Sequence, residues 1–311
     1  MSKRFTIAII HRNGIDRLKT VLDSVLLASS QEDEIIIIDN NSSDDSIDVI
    51  HSDGKYSSIH IIKHDCNAGY GYSCNQAMQS GSGKYFLLCN NDIELTRDCL
   101  NQFETFFNSD SRAGLIGPQM YSPTGKKMRS YGTQTPNMLS QLDLIGRPVK
   151  NHVIHSFSPV SILRGACLAV RKKMVDELGM YDEDFYFYHE ETEWCIRINR
   201  SNKWRVMFAP EIEISHVGGG STSSVFAASR IEFFRSRLIF WRKVFPTYQV
   251  VILYLWNLPK LALDCLFYLL TTVLTLGLNI RIRKKLIDRA VVIAWLISGK
   301  PDHWGLPNKC N

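Results

Sequence analysis

Three polar side chains, Asn90, Asn91 and Asp92, directly follow an apolar run from Tyr85 to Cys89. Such a run has the length and composition of a strand buried on both faces of a sheet. In open parallel sheets ligands bind at the carboxyl ends of the strands, where a carboxylate is well placed to hold a divalent cation carrying a diphosphate. Asn and Asp also favour turns for local reasons. The stretch alone therefore predicts either a metal and diphosphate site or an Asn-rich turn.

Asp39 occupies the same position after a second apolar run, Glu34 to Ile38. A carboxylate there is suited to accept hydrogen bonds from the base or ribose of a nucleotide. It is equally suited to an Asx-turn or to capping the short helix predicted from Asp44. Both interpretations stay open on the local sequence.

A pair of glycines, Gly69 and Gly71, precedes a predicted helix that runs to Met78. Glycines at a helix N-terminus let the backbone approach a phosphate. A dinucleotide fingerprint would need a third glycine and a place after the first strand. This segment has neither, which disfavours a dehydrogenase, and glycine pairs are also common in ordinary turns.

Three glutamates, Glu190, Glu191 and Glu193, open another predicted helix, where the helix dipole alone favours negative charge. The aromatic residues of segment 185–189 precede them and would form a partly dry wall beside a carboxylate. Such a wall suits a general base, whose pKa must stay useful near neutrality. Further along, His216 in a glycine-rich loop is a candidate cation ligand, although a single loop histidine often has no such role.

Apolar runs of strand length alternate with helices of ten or so residues, which predicts βαβ units on a parallel sheet. Residues 121–159 are polar and weakly periodic, which predicts a long loop region of the kind that is often functional or mobile. A further strand is predicted from Val160 to Val170, broken at residues 164–166. The other predicted strands are 5–10, 34–38, 58–63, 85–89, 113–117 and 204–209.

The length and composition suffice for one large domain or for a domain with an appendage. The chain has 311 residues, a net charge of +5 and 45% hydrophobic residues. The mild charge, concentrated in the last third, indicates contact with an anionic surface rather than a nucleic-acid-binding protein. Eight scattered cysteines without a Cys-x-x-Cys pair favour reduced thiols in a cytosolic chain. The apolar run Ile7 to Ile10 is too short for a signal peptide, so we expect an unsecreted protein.

The last ninety residues combine basic and apolar segments. Residues 230–243 interleave the two at helical spacing, and the strongly apolar segments 250–258 and 261–280 follow, interrupted by Pro259 and Lys260. A membrane-spanning helix needs about 20 mostly apolar residues, and flanking basic residues on both sides argue against a simple crossing. We expect helices lying on the cytoplasmic face of a membrane. True insertion and an ordinary buried helical tail are the alternatives.

The ordered set of motifs resembles the family 2 glycosyltransferases, in particular their bacterial rhamnosyltransferase-like branch. The resemblance covers residues 5–221, about two thirds of the chain. The matching segments are 38–44, 67–75, 88–92, 164–166, 181–197 and His216 with Ser221.

This resemblance implies a GT-A fold, an α/β architecture in which a Rossmann-like mixed sheet is flanked by helices. The GT-A domain would span residues 1–225, with a nucleotide-sugar half at 1–118 and an acceptor half at 119–225, and a helical, membrane-associating region would follow at 226–311. Mg²⁺ or Mn²⁺ would be held by Asp92 and His216. The base would be Glu191, or its neighbour Glu190. The nucleotide-sugar site would comprise His11, Asn13, Asp39, Asn41, Asn67, Gly69, Asn75, Asn90 and Asn91, and the acceptor site Arg164, Gly165, Ala166 and Glu193.

The function implied is an inverting, metal-dependent transfer of a sugar from dTDP-rhamnose or a UDP-sugar to a saccharide in bacterial surface polysaccharide (O-antigen or capsule) synthesis. The acceptor would be linked to a polyprenyl diphosphate, and the enzyme would sit on the inner face of the plasma membrane, with oligomers possible. Two departures from the family pattern matter: the metal motif has only one carboxylate, and Glu190-Glu191 replaces a Glu-Asp pair. A non-catalytic nucleotide-sugar-binding or membrane-scaffold protein is the alternative. A nucleotidyltransferase is disfavoured because the basic, glycine-rich phosphate loop is absent.

Overall fold

The computed structural model describes residues 3–142, 153–218, 225–307 and 309–310. The strands are β1 (Phe5–His11), β2 (Glu34–Asp39), β3 (His60–Lys63), β4 (Tyr85–Asn90), β5 (Ile93–Leu95), β6 (Ala113–Tyr121), β7 (Tyr131–Gly132), β8 (Ser158–Pro159), β9 (Ile162–Leu163), β10 (Cys167–Arg171) and β11 (Arg205–His216). The helices are α1 (Ile15–Ala28), α2 (Ser46–Ser52), α3 (Tyr70–Ser80), α4 (Cys99–Ser109), α5 (Met138–Gln141), α6 (Lys172–Leu178), α7 (Glu190–Arg200), α8 (Phe226–Val244), α9 (Thr247–Leu274) and α10 (Ile280–Ile297).

One mixed sheet organises the described residues, in the order β3-β2-β1-β4-β10-β6-β11-β5, with β8 beside β11. Strand β1 pairs in parallel with β2 and β4, in registers that set His11 beside Asp39 and Ile10 beside Asn90. Because parallel strands share the edge at which they end, the polar residues that follow these three strands gather at one edge of the sheet.

Successive side chains of the central strands point to opposite faces of the sheet and so belong to two separate apolar layers. In β1, Ile7 and Ile9 face a cluster built with α1 and α4, whereas Ala8 and Ile10 face one built with α3 and α7. Because β1 is buried on both faces, it reads as a continuous apolar run, as predicted. The result is a sheet covered by helices on both sides.

The mixed sheet implied by the family resemblance is confirmed: β10 departs from the parallel βαβ pattern and runs antiparallel to both β4 and β6. It follows a long irregular segment rather than a crossover helix, so nothing forces a parallel return. The predicted strand from Val160 to Val170 is two strands, β9 and β10, separated near the predicted break. The predicted loop 121–159 contains β7, α5 and β8 in its described part. Residues 143–152 lie outside the described residues, as does Ser221.

The expectation that all cysteines are reduced thiols is wrong for one pair. Cys66 and Cys310 form a disulfide, with their Cα atoms 5.1 Å apart. The two are 244 residues apart in sequence, so no local spacing could reveal the pairing. The other six cysteines are free thiols, and all but Cys265 are buried.

The C-terminal helices share an apolar cluster with the α/β part of the chain, in which Ile231 and Trp241 of α8 pack with Phe185 and with Ile196 of α7. The division of the chain at residue 225 stays a prediction. Helix α9 runs through Pro259 without ending, so the two apolar segments predicted on either side of this proline are one helix. With 28 residues, a mean hydropathy of 1.6 and 17% of its most apolar window buried, α9 is long and apolar enough to cross a membrane.

Candidate active site

A cavity of about 620 Å³ opens at the sheet edge where β1 and β4 end. We call it the sheet-edge cavity. It brings together many of the residues predicted to bind a nucleotide sugar and a metal, with Arg164 from the predicted acceptor set. These residues are His11, Asn13, Asn67, Asn90, Asn91, Asp92, Arg164 and His216.

Asp92 and His216 form the polar centre of this cavity. The Nε2 atom of His216 lies 3.3 Å from Oδ1 of Asp92, and β11 holds the histidine there by pairing with β5. Oδ2 of Asp92 accepts a hydrogen bond from the Gly218 N–H at 3.2 Å. Burial opposes ionisation of the carboxyl, but His216 and this N–H outweigh it and lower the pKa of Asp92 below its ordinary value. Asp92 is therefore a carboxylate at neutral pH.

This pair has spare ligand capacity. Oδ1 of Asp92 and Nδ1 of His216 are buried without a hydrogen-bond partner of good geometry, and buried polar atoms are normally satisfied. A ligand set of one carboxylate oxygen and one imidazole nitrogen suits Mn²⁺ better than Mg²⁺. Either ion can accept further oxygen ligands from a diphosphate. Within the described ranges, no cluster of three or more His, Cys, Asp or Glu side chains is present to hold a metal by itself. The residues thus fit a cation that arrives with, or is completed by, a phosphate-bearing ligand.

A hydrogen-bond chain behind Asp92 orients its neighbour Asn91. The side-chain amide of Asn91 donates to Nδ1 of His11 at 2.9 Å, and Nε2 of His11 lies 2.8 Å from the hydroxyl of Ser46. Burial lowers the pKa of His11 to about 4, against the nearby carboxylates Asp39 and Asp44, so the ring is neutral. A neutral ring that accepts at Nδ1 must donate at Nε2, and Ser46 in turn donates to Asp44 at 2.5 Å. The sequence did not predict a role for Ser46, because a single serine in a helix has no feature that indicates a functional site.

The side chain of Asp39 makes the hydrogen bonds of a turn, and its contact with a nucleotide stays a prediction. Its Oδ1 accepts hydrogen bonds from the backbone and hydroxyl of Ser42 at 3.1 and 2.5 Å, and it does not line the sheet-edge cavity. Ser42 accepts from the Asn13 N–H at 3.0 Å, so Asp39 braces the loop against a residue that does line the cavity. Asn41, in the same loop, adopts a left-handed backbone with φ of 61° and also lies outside the cavity.

The segment around Gly69 packs closely against its neighbours and does not form an open phosphate loop. Gly69 has φ of 90°, and a Cβ there would lie 2.3 Å from the carbonyl oxygen of Tyr186. The Tyr70 N–H donates to that same oxygen at 3.1 Å. Asn75 is buried and exchanges hydrogen bonds with the backbone of Tyr181, at 2.9 and 3.0 Å. These contacts seat the segment that carries the glutamates.

The two candidate bases have different surroundings. Glu191 lines a second cavity, of about 300 Å³, which we call the glutamate cavity. Glu190 is 5% exposed, lines neither cavity, and leaves one carboxyl oxygen buried without a partner. Of the two glutamates, Glu191 is the one whose side chain lines a described cavity.

Both carboxyls hold their protons more tightly than usual. Burial raises the pKa of Glu190 well above its ordinary value, and the adjacent Glu191 charge raises it further. Burial also raises the pKa of Glu191, although its own backbone N–H and the guanidinium of Arg164 oppose the shift. The pair titrates as a unit, so the first proton lost belongs to both groups. Arg164 favours the charge residing on Glu191.

Arg164 and Tyr188 line both cavities, and so they stand between Asp92 and Glu191. Tyr188 and His189 are consecutive residues with left-handed backbones, φ of 73° and 68°. Such a conformation is uncommon outside glycine and marks a segment that the surrounding structure constrains. Sequence reasoning saw the aromatic run but had no signal for this backbone, which turns Tyr188 toward the two cavities.

The other three residues predicted to bind the acceptor, Gly165, Ala166 and Glu193, have different surroundings. Gly165 backs onto Glu191, where a Cβ would lie 3.6 Å from the glutamate side chain. The carbonyl of Ala166 accepts from the Asn90 N–H at 2.9 Å, which ties β10 to the end of β4. Glu193 lines neither cavity and instead pairs with Arg197 at 3.0 Å along α7. Its carboxylate is engaged inside its own helix.

Residues 6–179 match the family model of Glycosyl transferase family 2, and they make up more than half of the chain. The chain belongs to this family. The family inferred from the motifs is thus confirmed, and the chain is a glycosyltransferase of family 2 by sequence.

Similar curated proteins are more distant. A low-salt glycan biosynthesis hexosyltransferase of Haloferax volcanii is 23% identical over 47% of this chain and 48% of its own length. An N-acetylglucosaminyl-diphospho-decaprenol L-rhamnosyltransferase of Mycobacterium tuberculosis is 22% identical over 54% of this chain and 62% of its own length. The chain therefore spans about half to three fifths of the length of the curated relatives it matches.

Solved structures confirm the GT-A-like fold. A mannosyltransferase from Pyrobaculum calidifontis, in complex with GDP-Man and Mn²⁺, matches 96% of this chain and 87% of its own, with a TM-score of 0.57 at 15% identity. TarS residues 1–349 from S. aureus match 95% of this chain and 92% of their own, with a TM-score of 0.53 at 14% identity. At this identity the similarity shows the fold alone.

Proposed function

We propose that this family 2 glycosyltransferase moves a sugar, with inversion, from a nucleoside diphosphate sugar to a hydroxyl group of a saccharide. The observation that carries the proposal is the placement of Asp92 and Glu191 in two cavities that share Arg164 and Tyr188 as walls. The nucleoside diphosphate would occupy the sheet-edge cavity and the acceptor the glutamate cavity. The anomeric carbon would then lie between them, beside Arg164.

Glu191 acts as the general base in this proposal. It takes the proton of the acceptor hydroxyl as that oxygen forms a bond to the anomeric carbon, while the bond from this carbon to the diphosphate oxygen breaks. The proton ends on Glu191, and the electron pair of the broken bond leaves with the nucleoside diphosphate. A raised pKa makes Glu191 a stronger base than an exposed glutamate, because proton affinity rises with pKa.

The cation of this proposal is Mg²⁺ or Mn²⁺, held by Asp92 and His216, with Asn90 and Asn91 beside them in the cavity wall. When bound, it supplies charge neutralisation on the departing diphosphate. Arg164 adds a fixed positive charge on the acceptor side of the same diphosphate. With only one carboxylate available, we expect the cation to bind more tightly when the donor is present.

Donor, acceptor and location are proposed from the family resemblance and from the relatives. The Mycobacterium tuberculosis relative is named as a rhamnosyltransferase acting on a diphospho-decaprenol-linked sugar, which supports dTDP-rhamnose as the donor and a polyprenyl-diphosphate-linked saccharide as the acceptor. A UDP-sugar is the second donor candidate. The apolar helix α9 supports work at the cytoplasmic face of the plasma membrane, in surface polysaccharide (O-antigen or capsule) synthesis.

A single carboxylate in the Asn90-Asn91-Asp92 motif favours one rival, a nucleotide-sugar-binding protein that has lost catalysis. Thermal shift with dTDP, UDP and GDP, each with and without Mn²⁺, identifies the nucleotide, since a bound ligand raises apparent stability by mass action. Release of the nucleoside diphosphate from the matching donor, dependent on added Mn²⁺, then decides between enzyme and binder. Stabilisation by a nucleotide without any turnover would favour the binder.

A further inference from the structure

A third cavity, of about 330 Å³, lies among helices α5, α8, α9 and α10. We call it the helical cavity. Four basic side chains and two acidic ones line it, namely Arg230, Arg237, Lys260, Arg289, Asp264 and Asp288. Apart from Ser140 and Gln141, the residues that line this cavity lie outside residues 6–179, the part of the chain that matches the family.

Three cations of the helical cavity, Arg230, Lys260 and Arg289, share its two carboxylates. Asp288 is shared by Arg230 and Arg289, and Asp264 by Lys260 at 2.7 Å and Arg289 at 3.7 Å. His189 also lines the cavity, and burial lowers its pKa to about 4, so it adds no charge near neutrality. The lining therefore carries a net positive charge that a polyanion of small volume would balance.

The helical cavity adjoins the glutamate cavity. Gln141, His189 and Phe233 line both. A ligand seated among the cations would thus present its next group toward the side of the molecule where Glu191 lies. This is the order of groups in a lipid-linked saccharide, in which the diphosphate precedes the sugar.

Helix α9 continues from the cavity as an exposed apolar stripe. Lys260 and Asp264 line the cavity. Large apolar side chains of α9 are exposed on both sides of it: Val251, Leu255 and Trp256 before Lys260, and Leu263, Leu266, Phe267, Leu270, Val273 and Leu274 after Lys260, each between 45% and 82% exposed. So large an exposed apolar surface marks contact with a lipid or another apolar partner.

We propose that the helical cavity binds the diphosphate of a polyprenyl-diphosphate-linked acceptor, with the polyprenyl chain lying along the exposed stripe of α9. This rests on the proposed function for the identity of the acceptor. The charge excess, the shared wall with the glutamate cavity and the apolar stripe each match one part of such a molecule: diphosphate, sugar and polyprenyl chain. An anionic phospholipid headgroup has similar phosphate chemistry, so the test must separate the two.

The first test measures binding of farnesyl diphosphate to the full chain, a readout that needs no turnover. We expect Lys260→Gln to weaken binding at least about tenfold, since it removes one charge-assisted contact to phosphate, and Lys260→Arg to restore most of it. The matched control is Lys284→Gln on the exposed surface of α10, which removes the same charge away from the cavity and should leave the Kd unchanged. Equal effects of Lys260→Gln and Lys284→Gln would overturn the proposal.

The second test separates the lipid sources. Flotation with phosphatidylglycerol vesicles should give the same bound fraction for Lys260→Gln and the parent protein. A loss of vesicle binding without a change in farnesyl diphosphate affinity would make the cavity a phospholipid site and overturn the proposal. Failure of the proposed function is distinguishable, because it would abolish donor turnover in the parent protein while the Lys260-dependent binding of farnesyl diphosphate remained.

Discussion

Asp92 and His216 meet across two antiparallel strands, with Nε2 of the imidazole 3.3 Å from Oδ1 of the carboxylate. Each keeps a buried atom without a good hydrogen-bond partner. Two side chains from distant parts of the chain therefore present free ligand atoms into one cavity. That arrangement is what the proposed cation requires.

His216→Asn should raise the Mn²⁺ concentration needed for half-maximal transfer by about tenfold or more, in line with the loss of one metal ligand or its close support. Asp92→Asn should be more severe, because it removes the only carboxylate of the motif. Glu94→Gln is the matched control: this exposed residue of β5 lies two positions after Asp92, and the variant should behave as the parent protein. Full transfer in the presence of a chelator would remove the cation from the proposal.

Glu191→Gln should lower kcat for transfer by about 10²-fold or more, as expected for the loss of a general base, while the Kd of the donor nucleotide stays unchanged. Glu190→Gln should keep most of the activity, because Glu190 lines neither cavity. Transfer rates and nucleotide binding by calorimetry check both variants. The opposite ranking of the two variants would make Glu190 the base.

Glu190→Gln should also stabilise the protein in a pH-dependent way. Burial raises the pKa of Glu190 in the folded chain, so unfolding near neutrality releases its proton and ionises it. The contribution of the protonated Glu190 side chain to the unfolding free energy is complete below the pKa of the unfolded chain, about 4.3. This contribution is lost as the pH rises through the pKa of Glu190 in the folded chain. The gain in unfolding free energy of Glu190→Gln over the parent should therefore be larger at pH 8 than at pH 4.5. Urea unfolding measures it, and exposed Glu94→Gln should show no such trend.

Local pattern predicted much of the scaffold, and tertiary contacts decided the rest. The run from Tyr85 to Cys89 forms β4, because a short apolar run bounded by polar residues has few other stable solutions. Asp39 shows the limit: its local sequence fits a nucleotide ligand or a turn, and only the folded structure shows that its carboxylate accepts a hydrogen bond from the hydroxyl of Ser42. The disulfide of Cys66 depends on a chain segment 244 residues away, which no window of sequence can contain.

Gly69→Ala should be strongly destabilising. A methyl group there would meet the Tyr186 backbone oxygen at 2.3 Å, and the φ of 90° disfavours any side chain. Strain of about 1–3 kcal/mol for the backbone, with overpacking of similar size, should lower the unfolding free energy by several kcal/mol. Gly125→Ala is the matched control: its φ is 75°, but nothing lies within 4 Å of the added Cβ. Equal losses in the two variants would show that the close approach to Tyr186 is unimportant.

The disulfide holds the C-terminal segment beside the sheet-edge cavity, since Cys66 precedes Asn67, and Leu306 and Pro307 form part of the cavity wall. Cys310→Ser should lower the thermal midpoint. A disulfide that closes a long loop reduces the entropy of the unfolded chain and so stabilises the folded protein by about 2–4 kcal/mol. It should also weaken nucleotide binding several-fold, as residues 306–307 lose their covalent anchor. Dithiothreitol should lower the midpoint of the parent protein and leave that of Cys310→Ser unchanged. An equal shift of the midpoint in both proteins, or no shift in either, would show that the bond is absent in solution.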